Sequence, residues 1–180
     1  MDFQSAASYR VWRWLDVLGL RETIDIRPYS LDTDDGEPTN PWDRTSPSFG
    51  VELLALAEFA RADGPVTHRA FVSAAFAAVH DAVGDASSAE SMLALGAAAG
   101  LDLDLWADDS ERWRAEVGLH HCEGEDEFGV RGVPSLVFDE ERALLVTLDA
   151  DVTDADAARR LLADLTDLAQ QPVTQVRRTA

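Results

Sequence analysis

The stretch Gly129-Val130-Arg131-Gly132-Val133-Pro134, running straight into the apolar Ser135-Leu136-Val137-Phe138, decides how the rest of the chain is read. Two glycines admit backbone angles closed to other residues, and a proline directly before a strand removes an amide donor where pairing begins. So tight a turn ahead of an apolar strand implies a backbone held in place for a reason. Val133-Pro134 is either a cis peptide, which at an X-Pro bond costs only roughly 0.5–1 kcal/mol, or a trans proline opening an edge strand. The local residues leave both open. A cis bond would push the Val133 backbone towards whatever lies across from it.

Working outward from the turn, Ser135 to Phe138 and Ala143 to Leu148 read as two strands, separated by the hairpin-like Asp139-Glu140-Glu141-Arg142. Thr153 can cap a final helix carrying Leu161, Leu162, Leu165 and Leu168, and beyond Gln170 the tail is polar and expected to fray. Upstream, a helical block runs from Val51 to His121. Leu53, Leu56, Ala57 and Ala60 line its first helix, which Gly64-Pro65 ends. Phe71, Val72, Ala75, Phe76 and Val79 line the second, and His80-Asp81 marks its end. Ser87-Ser88-Ala89-Glu90 reads as a capping box for a third helix, closed by Gly100, and Asp109 can cap a fourth bearing Trp113 and Val117. The small residues Ala74-Ala75 and Ala97-Ala98-Ala99 predict close helix approach.

Nearer the start, Val11, Trp14, Leu15 and Leu18 recur at helical spacing, with Trp12 and Val17 widening the apolar arc, and Gly19 fits the helix end. Thr23-Ile24-Asp25-Ile26-Arg27 alternates as a strand does. Asp32 to Pro47 is an aperiodic acidic loop rich in proline, in which Trp42 reads first as a satellite core contact and second as an aromatic wall over a pocket. The order is residual strand, helix, strand, helical insertion, turn with proline, hairpin, helix: an α/β pattern interrupted by helices.

Composition narrows the partners. The 180 residues suffice for a real core, and 46% hydrophobic content supports a folded chain. No apolar run approaches the ~20 residues that span a bilayer, and no signal-peptide pattern opens the chain, so a cytoplasmic location is expected. Asp and Glu number 34 against 15 basic residues, all arginine, for a net charge of −19. That field repels nucleic-acid backbones and anionic membranes, and the missing lysine excludes Schiff-base chemistry.

Cys122 is alone, which excludes an internal disulfide, a CxxC redox pair and a cysteine-based zinc site. In His120-His121-Cys122, neighbouring helical side chains point about 100° apart, so three in a row do not converge on one ion. Glu123, Glu125, Asp126 and Glu127 around Cys122 disfavour its thiolate. Asp108-Asp109 and Asp32 to Asp35 lack the spacing of a calcium loop and read as solvated charge. No metal is expected.

The N-terminal Asp2-Phe3-Gln4-Ser5-Ala6-Ala7-Ser8-Tyr9 resembles the active-site segment of DsbA-like thioredoxin-fold proteins, where Asp-Phe-x-Cys-Pro-x-Cys-Tyr opens the first helix. It is similar also to the serine-bearing branch, the kappa-class glutathione transferases and 2-hydroxychromene-2-carboxylate isomerases, with Ser-Pro-x-Ser-Tyr or Ser-Pro-x-Ser-Trp. Gly129-Val130-Arg131-Gly132-Val133-Pro134-Ser135 resembles the same superfamily's Gly-Val-x-Gly-Val-Pro-Thr, whose proline is cis. The resemblance implies a thioredoxin-like α/β fold with a helical insertion between the βαβ and ββα halves. Residues 1–48 and 122–170 would form the thioredoxin-like domain, 49–121 the inserted helical subdomain and 171–180 a polar tail.

The resemblance further implies a site in which Ser5, at the first helix N-terminus, activates a bound low-molecular-weight thiol, glutathione or mycothiol. Ser8, Val133 and Pro134 would bind thiol and substrate, and the protein would be a homodimer. Ser-Ala-Ala-Ser in place of Cys-x-x-Cys removes thiol–disulfide exchange. Ala6 and Ala7 stand where the family has proline and an aromatic, and only Met1 to Gln4 occupy the place of a central strand, which leaves open whether residues precede Met1. Thr147-Leu148-Asp149-Ala150 shows no equivalent of the Ser-Asp pair that holds the γ-glutamyl group. Three classes follow: a thiol-dependent transferase or isomerase, a non-catalytic descendant that binds a peptide or small molecule, and a disulfide oxidoreductase whose cysteines were replaced by serine. For Ser5 and Ser8 plain helix capping stands beside all three.

Overall fold

The computed structural model describes residues 1–81, 88–139, 142–172 and 175–177, with 34, 35 and 175–177 described by backbone alone. The described chain is mixed α/β and mostly helical. In order it forms α1 (Ala6–Val17), α2 (Phe49–Asp63), α3 (Pro65–His80), α4 (Ala89–Ala98), α5 (Leu103–Asp126), β1 (Ser135–Phe138), β2 (Arg142–Thr147), α6 (Ala155–Ala169) and β3 (Gln175–Arg177). It divides into a sheet unit, comprising Met1, Ser5–Arg27 and Cys122–Ala180, and a helical unit, comprising Asp2–Gln4 and Pro28–His121. No described helix is long and apolar enough to cross a membrane.

In the sheet unit the strand order is β1-β2-β3. β1 runs antiparallel to β2, with Ser135 opposite Leu145 and Leu136 opposite Leu144, and the Pro134 carbonyl extends the ladder by accepting from Val146 N at 3.0 Å. α1 and α6 lie against β2, and Val11, Trp14 and Leu15 join Leu144, Val146, Leu148, Ala158 and Leu165 in one core. Trp14 is fully buried and its indole N–H donates to the Ala158 carbonyl at 3.3 Å, so its polar edge is satisfied along with its apolar body. Gly19, at φ +68°, ends α1 in a conformation that favours glycine.

Several sequence expectations shift here. Met1–Gln4 and Thr23–Arg27 form no strand. Thr23 N and Ile24 N instead bond the Leu20 carbonyl in a turn, and the Arg27 carbonyl takes the Met1 ammonium at 2.7 Å. Alternation alone does not make a strand without a neighbouring backbone to pair with. The tail does not simply fray: Gln175–Arg177 pairs parallel to β2, Val176 opposite Val146, occupying an edge that would otherwise leave amides and carbonyls unpaired. Asp154 rather than Thr153 caps α6, accepting from Ala157 N at 2.7 Å. Within the expected hairpin Asp139-Glu140-Glu141-Arg142, Glu140 and Glu141 lie outside the described residues; Asp139 turns at φ +51°.

The helical unit is organised on α2, where Val51, Leu53, Leu54, Ala55, Leu56, Ala57 and Ala60 are each at most 2% exposed. A helix buried around most of its circumference sits in the middle of its neighbours, and α3 and α4 pack against it. Phe3 meets Phe71 and Phe76 edge to face at 6.3 and 5.0 Å. Close approach of α4 comes from Gly96, where a Cβ would stand 3.0 Å from Leu103 and 3.3 Å from Leu56, while Ala97 and Ala98 are exposed; helical phase turns Met92 and Gly96 inward instead. Ser88 and Ser91 form the capping box of α4, one residue later than the sequence suggests, and Ser87 lies outside the described residues. α5 starts earlier than expected, capped by Asp102, and Asp109 is a kink (φ −135°, ψ 23°) rather than its first residue. The loop from Asp32 to Pro47 contains two short 3-10 turns, and Trp42 packs over Gly118, where a Cβ would come within 2.4 Å of the indole nitrogen. Trp42 is therefore a core contact.

Candidate functional site

Ser5 is the N-cap of α1, with extended backbone (φ −81°, ψ 112°). Its Oγ accepts from Ser8 N at 3.1 Å and its carbonyl from Tyr9 N at 3.0 Å, the pattern that satisfies the first orphan amide of a helix. Ser5 is half-buried and Ser8 is buried. Because Oγ uses a lone pair for the cap, its own O–H proton stays available as a donor. Ala6 and Ala7 contribute the remaining first-turn amides, which carry the positive end of the helix dipole.

The Gly129–Pro134 turn belongs to the same unit. Gly129 sits at φ +68°, and Val130 N closes onto the Gly124 carbonyl at 2.8 Å. Gly132 has no left-handed backbone; a Cβ there would make ordinary contact with Leu145 at 3.6 Å, so only the first glycine of the motif is conformationally required. Val133-Pro134 is cis, Pro134 is buried, and Ser135 Oγ donates to the Gly132 carbonyl at 2.8 Å.

Two bonds fix both pieces to one end of the sheet. Pro134 pairs with Val146 near the C-terminal end of β2, and Arg10 of α1 reaches the Leu148 carbonyl at 3.1 Å, two residues further on. Arg13 continues the contact to Asp151 at 2.9 Å. The N-terminal half of α1 and the proline turn thus share the C-terminal end of β2. Among the described residues no hydrogen bond joins Ser5 to Val133 or Pro134.

Other candidates fall elsewhere. Cys122 is exposed. No group of three or more His, Cys, Asp and Glu side chains among the described residues is placed to hold a metal ion. Sequence reasoning missed Glu58, 4% exposed on α2, with Arg61 Nε at 3.1 Å and His120 Nδ1 at 3.3 Å. The histidine contact has ion-pair distance without hydrogen-bond alignment. A glutamate and an arginine three apart within the apolar run from Leu53 to Ala60 and just beyond it were the available signal, since a charge so placed needs a partner. Asp2 was also missed: its carboxylate, 1% exposed, accepts from Gln4 N at 2.8 Å and Leu31 N at 2.9 Å. Burial raises its pKa above the ordinary 3.8, and the two amides oppose that shift. Compared with models of known protein families and with curated proteins, the sequence matches none.

Proposed function

We propose that this chain is a DsbA-like, thioredoxin-fold protein of the serine-bearing kind, acting as a thiol-dependent transferase or isomerase. The observation that carries the reading is that Ser5 caps α1, the helix whose Arg10 bonds the Leu148 carbonyl just beyond the end of β2 at which Pro134 enters the sheet. A low-molecular-weight thiol, glutathione or mycothiol, would place its sulfur at the Ser5 hydroxyl. Ionisation releases the thiol proton to solvent, and the resulting thiolate accepts from Ser5 O–H while the first-turn dipole of α1 stabilises its charge. Ser8 acts through its amide, which holds the Ser5 rotamer. The Val133 backbone would pair with the backbone of the thiol compound. Dithiol exchange is not part of the proposal, because Cys122 is the single cysteine.

The test is calorimetric titration of wild type, Ser5→Ala and Ser5→Asp with reduced glutathione and with mycothiol, alongside ultraviolet absorbance of the thiolate. A hydrogen bond to a charged group contributes about 1.5–3 kcal/mol, so Ser5→Ala should weaken binding roughly 10- to 100-fold. Ser5→Asp keeps a good helix cap and adds a charge that opposes an anion, so it should abolish thiolate formation without unfolding α1. Binding unaffected by either change would point to the non-catalytic binder, and no binding of either thiol would remove the proposal.

A further inference from the structure

Three half-buried arginines of this chain meet a carboxylate: Arg21 meets Asp16 at 3.1 Å, Arg61 meets Glu58 at 3.1 Å and Arg114 meets Glu52 at 2.7 Å. Arg10, half-buried as well, bonds the Leu148 carbonyl through Nη1 instead, and no carboxylate pairs with it among the described residues. A neutral carbonyl occupies one of the five guanidinium N–H groups and leaves the charge unbalanced. One helical turn to either side stand Ala6, Ala7, Arg13 and Trp14, so α1 offers no acid, and Arg13 is itself taken by Asp151 at 2.9 Å. The position is unfavourable for a second reason. A cation in the first half of a helix stands near the positive end of the dipole, not the end it would stabilise. In a chain with 34 acidic residues, a guanidinium left without one marks a place for an anion from outside.

We propose that Arg10 binds a carboxylate carried by the thiol compound, which makes the ligand a carboxylate-bearing thiol. The proposal rests on the thiol reading of Ser5. With Nη1 on Leu148, the Nε and Nη2 edge of Arg10 has no protein partner, and that edge matches a carboxylate in a two-pronged bond. Ser5 and Arg10 lie about 7.5 Å apart along the axis of α1. Long helical side chains lean back over the preceding turn, here the one holding the small Ala6 and Ala7. A sulfur at Ser5 and a carboxylate at Arg10 therefore fit within one compound of peptide size. Glutathione has free carboxylates, whereas mycothiol has its cysteine carboxyl closed in an amide, so glutathione should bind more tightly.

The test is a binding cycle on the full chain, by calorimetry, with reduced glutathione and its dimethyl ester against wild type, Arg10→Gln and Arg10→Lys. Both ligands present the same sulfur, and the ester has no carboxylate. Wild type should prefer the free acid roughly 10- to 100-fold. Arg10→Gln should bind acid and ester alike, at the wild-type affinity for the ester. Arg10→Lys keeps the charge without the planar fork and should retain part of the preference. Added salt should shrink the wild-type preference. Weakening of both ligands by the same factor in Arg10→Gln would mean that Arg10 does no more than tie α1 to Leu148. That result overturns the inference and leaves the thiol reading standing, as does equal binding of acid and ester by wild type, or binding of mycothiol alone. Failure of every thiol to bind removes the thiol reading and this inference with it.

Discussion

The two units of this molecule bury apolar surface in opposite ways. The helical unit wraps neighbours around the largely buried α2, and the carboxylates it encloses are met by placed partners, Glu58 by Arg61 and His120 and Asp2 by the Gln4 and Leu31 amides. The sheet unit is one-sided: α1 and α6 cover the Leu144 and Val146 side of β2, while Val137 on β1 stands in solvent. A unit closed on all sides leaves few groups for a ligand. A one-sided unit ends in caps, turns and a strand edge, and the candidate chemistry of this chain lies there.

The largest expected effects test whether the two cores are separate. Trp14→Ala removes the centre of the sheet-unit core together with the bond to Ala158, and should lower unfolding free energy by about 3–5 kcal/mol. Leu54→Ala should cost about 2–5 kcal/mol in the helical unit. Hydrogen exchange distinguishes the sites of damage: Trp14→Ala should speed exchange first in α1 and α6, Leu54→Ala first in α2 and α3. Equal acceleration everywhere from either change would mean one cooperative core rather than two.

The same contrast explains what could be read from the chain. Helices of the helical unit were legible because their signals are local: Gly64-Pro65 between α2 and α3, and Gly100 at φ +86° after α4, act on the residues beside them. Strands were legible only where their partner is near in sequence, as Leu136 is to Leu144. Ile24 and Ile26 alternate as well as Leu144 and Val146 do, yet pair with nothing as a strand, since pairing depends on residues far along the chain. For the same reason β3, which joins β2 from 175–177, was invisible. At the candidate site, Ser5 and Pro134 stood out by residue type. Asp2 did not, because its role comes from the distant Leu31 amide rather than from any local pattern.

Intermediate effects compare the caps of the two units. Ser5→Ala removes one amide bond, to Ser8 N, and should cost about 1 kcal/mol. Ser48→Ala removes the cap of α2 at Val51 N together with a hydroxyl bond to the Asp32 carboxylate, and should fall nearer the upper end of the range, about 2 kcal/mol. Urea denaturation of the two variants side by side measures the difference. A Ser5→Ala loss as large as that of Ser48→Ala would show that Ser5 makes stabilising contacts beyond its cap.

The smallest expected effect is a pH dependence with a sign opposite to that of most paired carboxylates. Burial raises the folded pKa of Asp2 above its unfolded value of 3.8, so between those two values the folded chain holds more protons than the unfolded one. The contribution of Asp2 to stability is therefore fully present below 3.8 and lost as pH rises through the raised folded value. Carboxylates held ionised by arginine partners behave in reverse, losing their contribution on acidification. Asp2→Asn cannot titrate, and its side-chain oxygen can still accept an amide bond. The difference in unfolding free energy, wild type minus Asp2→Asn, should then decrease from acid upward and become flat above the folded pKa of Asp2. A difference that increases with pH would mean that the amides of Leu31 and Gln4 outweigh burial, making Asp2 an ionised anchor of the helical unit instead of a desolvated one.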